Sequence, residues 1–426
     1  MVKYVLLLLL PFFALACRPQ PTTASTVVGL REDNAIRYVS YRPDSVQRPA
    51  TLEVPVNRTI DPDAYQSDTI NPDLLPVRTL MVNFHIMNST DTLYPYFGER
   101  ALEYSRQVVG QANVMLRRRR AHYLTPDSMD VPSLPSRLRL ALAKKPGTDE
   151  DAVYEHYDDE LYWYLHKGRN RNRSSRSVVK KYAVNSDSVL NVFAMGPLRD
   201  SLESKTYKIY GVSGIYLGNA IKITGWLSRD RGPWEISSVL LHEIGHALGL
   251  RHAWLRNDGC ADTRPHKNNF WSLPSGETGP GKTSNNLMDY SNRQEALTPC
   301  QLGRMHARMG DYHGRQRKWL RRDWCEYRPE QPVTIRRDVT FAGARDFAGD
   351  IFVSRGARLR VNARIHLPTG AAIYVEPGGT LELGPAAILH NDCGGAFGGI
   401  QVGITESGLR GKVLVDTAAT VFNEAL

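Results

Sequence analysis

The chain has 426 residues, of which 42% are hydrophobic and 23% charged, and it carries a net charge of +10. This balance excludes an intrinsically disordered chain, and the length predicts one large domain or two to three modest ones. The basic excess gathers at Arg117–Arg120, from Lys167 to Lys181 and from Arg315 to Arg322 with no nucleic-acid-binding module around it, so no nucleic-acid partner is expected. It reads as solvated faces, with attraction to an anionic membrane surface or to acidic substrates as the sharper alternative.

Residues 1–17 read as a targeting segment. Lys3 precedes an apolar run from Val5 to Ala16, shorter than the roughly 20 residues a bilayer span needs, as in a signal-peptide core. The run ends Ala14-Leu15-Ala16-Cys17, which resembles a bacterial lipobox with Cys17 as the lipidated residue; an ordinary secretory signal is the alternative. Either way the mature chain leaves the cytoplasm, for the periplasm, the cell surface or the medium, and can form disulfides. Beyond Cys17 there are four cysteines, Cys260, Cys300, Cys325 and Cys393, which allow three connectivities; Cys260 with Cys300 is the first expectation.

Residues 18–75, rich in Pro, Thr, Ser and Asp, read as a tether and an irregular N-terminal segment. They are a candidate pro-segment, with Asp33, Asp61 and Asp63 as candidate metal-blocking carboxylates, none of them singled out. Val77–Met87 reads as a strand and Glu99–Arg118 as a helix with Ala101, Val108, Ala112 and Met115 on one face. Strand-like runs follow at Arg137–Ala143, Leu190–Met195 and Tyr210–Leu227. His85, His122, His156 and His166 lack ligand spacing and read as structural or exposed.

The next helix carries the chemistry. Pro233 after Gly232 suits a first helical position, and Ile236, Leu240, Ile244 and Ala247 form its buried face. On another face His242 and His246 stand four residues apart, one turn above the other, and so reach one ion. Gly249 tolerates the left-handed conformation that ends a helix, which lets the chain swing His252 round to a third ligand position. Three imidazoles with a fourth position left for water describe a catalytic zinc. Glu243, beside a ligand but not itself one, reads as the general base that takes a proton from the attacking water and hands it to the leaving amine.

The pattern His242-Glu243-x-x-His246-x-x-Gly249-x-x-His252, followed by Asn286-Leu287-Met288-Asp289-Tyr290-Ser291, resembles the metzincin metallopeptidases. Within them it is most similar to the pappalysin-like (cytophagalysin) family, through residues 246–254, Gly259-Cys260-Ala261-Asp262-Thr263, the 286–291 turn and Leu297–Met305. The resemblance implies a zincin-like α+β catalytic domain, a mixed twisted sheet plus the zinc helix, acting on proteins or peptides. It also implies Met288 as the floor of the metal site, Tyr290 as a hydrogen-bond donor to the oxyanion, and substrate pairing along an edge strand, with Gly211–Leu217 as the candidate. The family's Asp-Thr-Pro loop reads Asp262-Thr263-Arg264-Pro265 here and Cys300 is displaced, so a Ca2+ site in that loop stays in doubt. Thr298, Pro299 and Gln301 compose a capping box at the start of a further helix.

After about Pro329 the texture changes. Ile351-Phe-Val353 with Gly356, Leu359 and Val361 is echoed by Ile373-Tyr-Val375 with Gly378, Leu381 and Leu383, every equivalent pair 22 residues apart, and a weaker echo begins at Ile400 and Val402. Short alternating strands with a glycine turn predict parallel β-helix coils, a small β-sandwich being the rival. The chain therefore divides into 1–17, 18–75, a catalytic domain over 76–328 and a β-repeat domain over 329–426. The expected function is an exported zinc endopeptidase. The alternatives are a surface adhesion or glycan-binding protein working through the β-repeats, and a zinc hydrolase of non-peptide bonds.

Overall fold

The structure is a computed structural model that describes residues 36–41, 54–55, 60–90, 96–164, 173–196, 213–224, 232–266, 284–290 and 294–422. Residues 1–17, Asp33, His166 and Ser291 lie outside this set. Among the described residues no helix is long and apolar enough to cross a membrane.

The first strand, β1 (Arg37–Tyr41), is set apart from the next six, which build one sheet: β2 (Arg78–Asn88), β3 (Leu138–Leu142), β4 (Val153–Tyr157), β5 (Leu190–Met195), β6 (Ser213–Tyr216) and β7 (Ala220–Thr224). The sheet order is β3-β2-β5-β7-β6, with β4 pairing the far half of β2. All pairs are parallel except β6 with β7, so the edge strand runs against the rest. The long run read at Tyr210–Leu227 is thus a hairpin in its described part, folded at Gly218, whose φ of 86° a residue with a side chain rarely adopts. β4 and a short helix, α2 (Ser177–Tyr182), are elements that the sequence pattern did not reveal.

Two helices pack on one another beside the sheet, α1 (Gly98–Arg117) and α3 (Pro233–Ala247). Ala101, Val108, Ala112 and Met115 are buried along α1, and the Ser237 hydroxyl of α3 donates to Val108 O at 2.9 Å. Downstream come α4 (Pro299–Gly310) and the single turn α5 (Arg315–Lys318). The capping box at Thr298 is formed in both directions, Thr298 accepting from the Gln301 amide and Gln301 accepting from that of Thr298.

The C-terminal region is a parallel β-helix of four coils, and the β-sandwich alternative is overturned. Coil one holds β8 (Val333–Ile335), β9 (Val339–Phe341) and β10 (Arg345–Asp346); coil two β11 (Ile351–Val353), β12 (Arg358–Val361) and β13 (Arg364–His366). Coil three holds β14 (Ile373–Val375), β15 (Thr380–Leu383) and β16 (Ile388–His390); coil four β17 (Ile400–Ile404), β18 (Lys412–Val415) and β19 (Thr420–Val421). Equivalent strands stack in register: Val333, Ile351, Ile373 and Ile400 form one ladder, and Val339, Leu359, Leu381 and Val413 another. Such coils bury their apolar ladders only by stacking. β1, from the stretch read as a tether, pairs antiparallel with β17 at the sheet edge.

The β-helix is joined to the preceding sheet and helices by a buried ion cluster and a disulfide. Asp346 accepts from Arg317 and from Arg364, each at 2.7 Å, and lies 3.6 Å from Arg78 of β2. Arg317 also reaches Asp392 at 2.9 Å, and Asp392 lies 3.0 Å from His366. Burial works to raise the Asp346 carboxyl, but Arg317 and Arg364 outweigh it and hold it well below the usual carboxylate range. Cys325–Cys393 is bonded across the same junction, and Cys260–Cys300 forms the other disulfide.

Several buried histidines make the fold acid-sensitive. Burial pushes His85, His306 and His390 down to about 3. Below the unfolded value of about 6.5 the unfolded chain takes up protons that the folded chain refuses, so stability is complete above that pH and falls beneath it, by up to about 1.4 kcal/mol per pH unit for each histidine. The urea midpoint should drop as pH is lowered from about 6.5 toward 5. The drop should be shallower in His306→Gln; a flat profile in the wild type would contradict this account.

Candidate active site

The three motif histidines are brought together by α3 and the turn after it. The Nδ1–H of His242 donates to Leu287 O at 2.7 Å, and that of His246 to Leu250 O at 2.9 Å. A carbonyl oxygen can only accept, so the proton sits on Nδ1 and each Nε2 presents a lone pair. His246 Nε2 lies 3.2 Å from both His242 Nε2 and His252 Nε2. Burial holds all three rings below the ordinary histidine value, in the neutral form that ligates metal. Facing lone pairs repel unless a cation lies among them, so the donor set fits a divalent ion that takes imidazole nitrogen. Gly249 has φ 92°, and the chain reverses there to present His252.

Glu243 is buried beside this cluster, and burial pushes its carboxyl up to about 7 against the pull of a backbone hydrogen bond from Tyr216 and the charge of Arg173. Strand β6 passes directly over it. A Cβ on Gly214 would stand 2.5 Å from Glu243 Cγ and 2.7 Å from Oε1, so only glycine lets the strand approach this closely. Tyr290 lies close by, its ring centroid 5.0 Å from that of His252 and 5.8 Å from that of His242. Trp254 stacks on His252 at 4.0 Å and meets Tyr290 edge-on at 4.6 Å.

Met288 is fully buried beneath α3, and a side chain on Gly245 would collide with its sulfur. The turn that carries it is braced by α4. Asn286 Oδ1 accepts from the Met288 amide at 2.9 Å, and its side chain pairs with Gln301 of the capping box at 3.0 and 3.1 Å. Gln294 Nε2 lies 3.1 Å from His242 Nδ1. Gly214, Gly245, Trp254 and Gln294 had no assigned role in the sequence reading. Gly245 occupies an unspecified motif position, and a glycine flanked by histidine ligands was the one available signal.

Other candidates fall elsewhere. Asp61 and Asp63 bond locally, Asp61 to the Asp63 amide and Asp63 to Gln66, and neither joins the histidine group. His85 and His156 bond one another at 2.9 Å within the sheet. In the loop compared with a calcium site, Asp258 accepts from Thr263 and the Cys260 amide, and Asp262 accepts from the Cys300 amide at 2.9 Å.

Residues 91–259 match the family model of the Matrixin peptidases, a likeness that covers the histidine cluster and fits a catalytic zinc there. No curated protein matches the chain. Among solved structures the chain is similar to mature mirolysin of Tannerella forsythia in complex with a cleaved peptide. Identity there is 16%, with 57% of this chain and 96% of that one covered at a TM-score of 0.37. A promirolysin mutant of the same organism is 15% identical, over 58% of this chain and 86% of that one, at a TM-score of 0.34.

Proposed function

We propose that this chain is a metzincin metallopeptidase, a zinc-dependent endopeptidase of the pappalysin-like branch that cleaves peptide bonds in proteins or peptides. The observation that carries the reading is the convergence of three imidazole Nε2 atoms, each 3.2 Å from its nearest neighbour, beside a buried carboxylate. His242, His246 and His252 would hold the ion, which when bound polarises a carbonyl and acidifies water. Gly249 turns His252 into place, and Met288 supports the ligand helix from below.

Glu243 acts as the base. It accepts a proton from the attacking water and passes it to the leaving amine, so the carboxylate is regenerated at the end of the cycle. The Tyr216 amide and the close approach of β6 at Gly214 fix its rotamer. The Tyr290 hydroxyl, whose phenol is kept protonated by burial and by the Glu243 charge, donates toward the oxygen that becomes anionic. β6 is the sheet edge nearest the base among the described strands, and an edge strand suits pairing with an extended substrate chain. Export, with a lipid anchor on Cys17, belongs to the same reading on the evidence of residues 1–17; N-terminal sequencing and fatty-acid labelling decide it.

Metal analysis with peptide-library cleavage tests the proposal. The expected result is one zinc per chain, cleavage at internal bonds, and loss of cleavage on chelation with recovery on adding zinc. A chain that binds zinc and cuts no peptide would overturn it in favour of adhesion or non-peptide chemistry.

A further inference from the structure

The far end of β6 carries a feature that the peptidase reading leaves unused. The β6–β7 turn, residues 217–219, is met by two arginines from separate parts of the chain, and a third lies near the end of β6. Arg176, just before α2, donates to Leu217 O and to the Asn219 side chain. Arg315, at the start of α5, donates through Nη1 to Gly218 O at 3.1 Å. Arg308 of α4 lies against Gly249, where a Cβ would stand 3.0 Å from its Nε. The Tyr216 hydroxyl donates to Gly218 O at 2.5 Å, and after burial the charges acting on that phenol are Arg315, Arg176 and Arg308.

All three arginines are exposed, and among the described residues none has a carboxylate within ion-pair distance. Elsewhere this chain pairs its arginines freely, as at Arg106 with Asp151 and Arg337 with Asp68. Here, among the described residues, three positive charges gather without a counter-charge beside the end of the strand whose Tyr216 amide donates to Glu243. The bonds of Arg176 and Arg315 to carbonyl oxygens hold those two guanidiniums at the turn, and each exposed side chain has further N–H groups to offer.

We propose that this turn is a substrate subsite for carboxylate side chains, so that the enzyme favours peptides with Asp or Glu a short distance along the chain from the cleaved bond. The ligand class follows from the donors: planar guanidiniums recognise carboxylates bidentately. A strand advances about 3.3 Å per residue, so the turn lies within reach of a substrate side chain one to three residues from the position facing Glu243. The inference rests on β6 being the substrate edge, as proposed above.

The test uses peptide pairs that differ only by Glu against Gln, scanned along each side of the cleaved bond. The wild type and the double variant Arg176→Gln/Arg315→Gln are compared for cleavage, and for direct binding after Glu243→Gln is added to each. Glutamine keeps a neutral N–H donor at each position while the charge is removed. The wild type should prefer Glu at one position by about fivefold, a preference that weakens in high salt and vanishes in the double variant, with the Gln peptide unaffected. Equal handling of both peptides by the wild type, or a preference surviving in the double variant, would overturn the subsite. If no peptide is cut at all the peptidase reading fails, while the binding ratio still decides the subsite.

Discussion

Glu243→Gln is expected to bind zinc as the wild type does and to lose proteolysis by about 10²–10⁴-fold in kcat, the contribution typical of a positioned general base. The substitution is nearly isosteric. The pocket beneath Gly214 accepts the same side-chain shape, and the Tyr216 amide still finds an oxygen acceptor. His242 and His246 keep their bonds to Leu287 O and Leu250 O, so the nitrogen donors should stay in place. What is lost is the proton acceptor alone. Metal content and kcat measured on the same preparation check this, and a variant with full activity would end the assignment of Glu243 as base.

Asp346→Ala is expected to have the largest effect on stability, about 3–5 kcal/mol, although the residue lies on the β-helix and takes no part in the chemistry. Asp346 is the shared acceptor of Arg317 and Arg364 at 2.7 Å and sits 3.6 Å from Arg78, all four side chains being buried. Its removal leaves three guanidiniums facing one another without their common counter-charge. Because Arg78 belongs to the catalytic sheet, the loss should be felt in both domains. Urea unfolding with both disulfides intact, followed by fluorescence and by peptidase activity, measures it. A loss below about 1 kcal/mol would mean that the cluster relaxes at little cost.

The parts of the fold that were legible are those whose chemistry is local. Pro233, Gly249 and the Thr298–Gln301 box mark helix ends through bonds formed within a few residues. β5 follows from a single apolar run. The β-helix showed itself through its 22-residue echo, because Ile351 and Ile373, and Gly356 and Gly378, are true register partners or equivalent turns. Its first coil escaped notice, since Val333 stands only 18 residues before its partner Ile351 and lacks the matching glycine turn. β4 reads Val-Tyr-Glu-His-Tyr, too polar and too short to be told from a loop.

In the site, residue types and spacing pointed to a metal-ligand set, while the surroundings were hidden. Gly214 matters because a strand remote in sequence crosses Glu243, and Gln294 because it comes within 3.1 Å of His242 across 52 residues. The Arg78–Asp346 junction is invisible for the same reason. Each residue alone looks like an ordinary surface charge, and only the docking of two domains makes them a unit.

The pairing of β1 with β17 sets an order of events. Ser40 meets Gln401 across 361 residues, so synthesis must run that far past β1 before this strand can find its place. A ribosome delivers the N-terminal residues first, and until coil four exists they have no edge to join. The zinc helix and its sheet can condense in that interval, while Arg37–Tyr41 waits as an unsatisfied β-strand. The clasping of β1 to coil four then follows these events, and protection of the Val39 and Tyr41 amides against hydrogen exchange would appear only once coil four has been made.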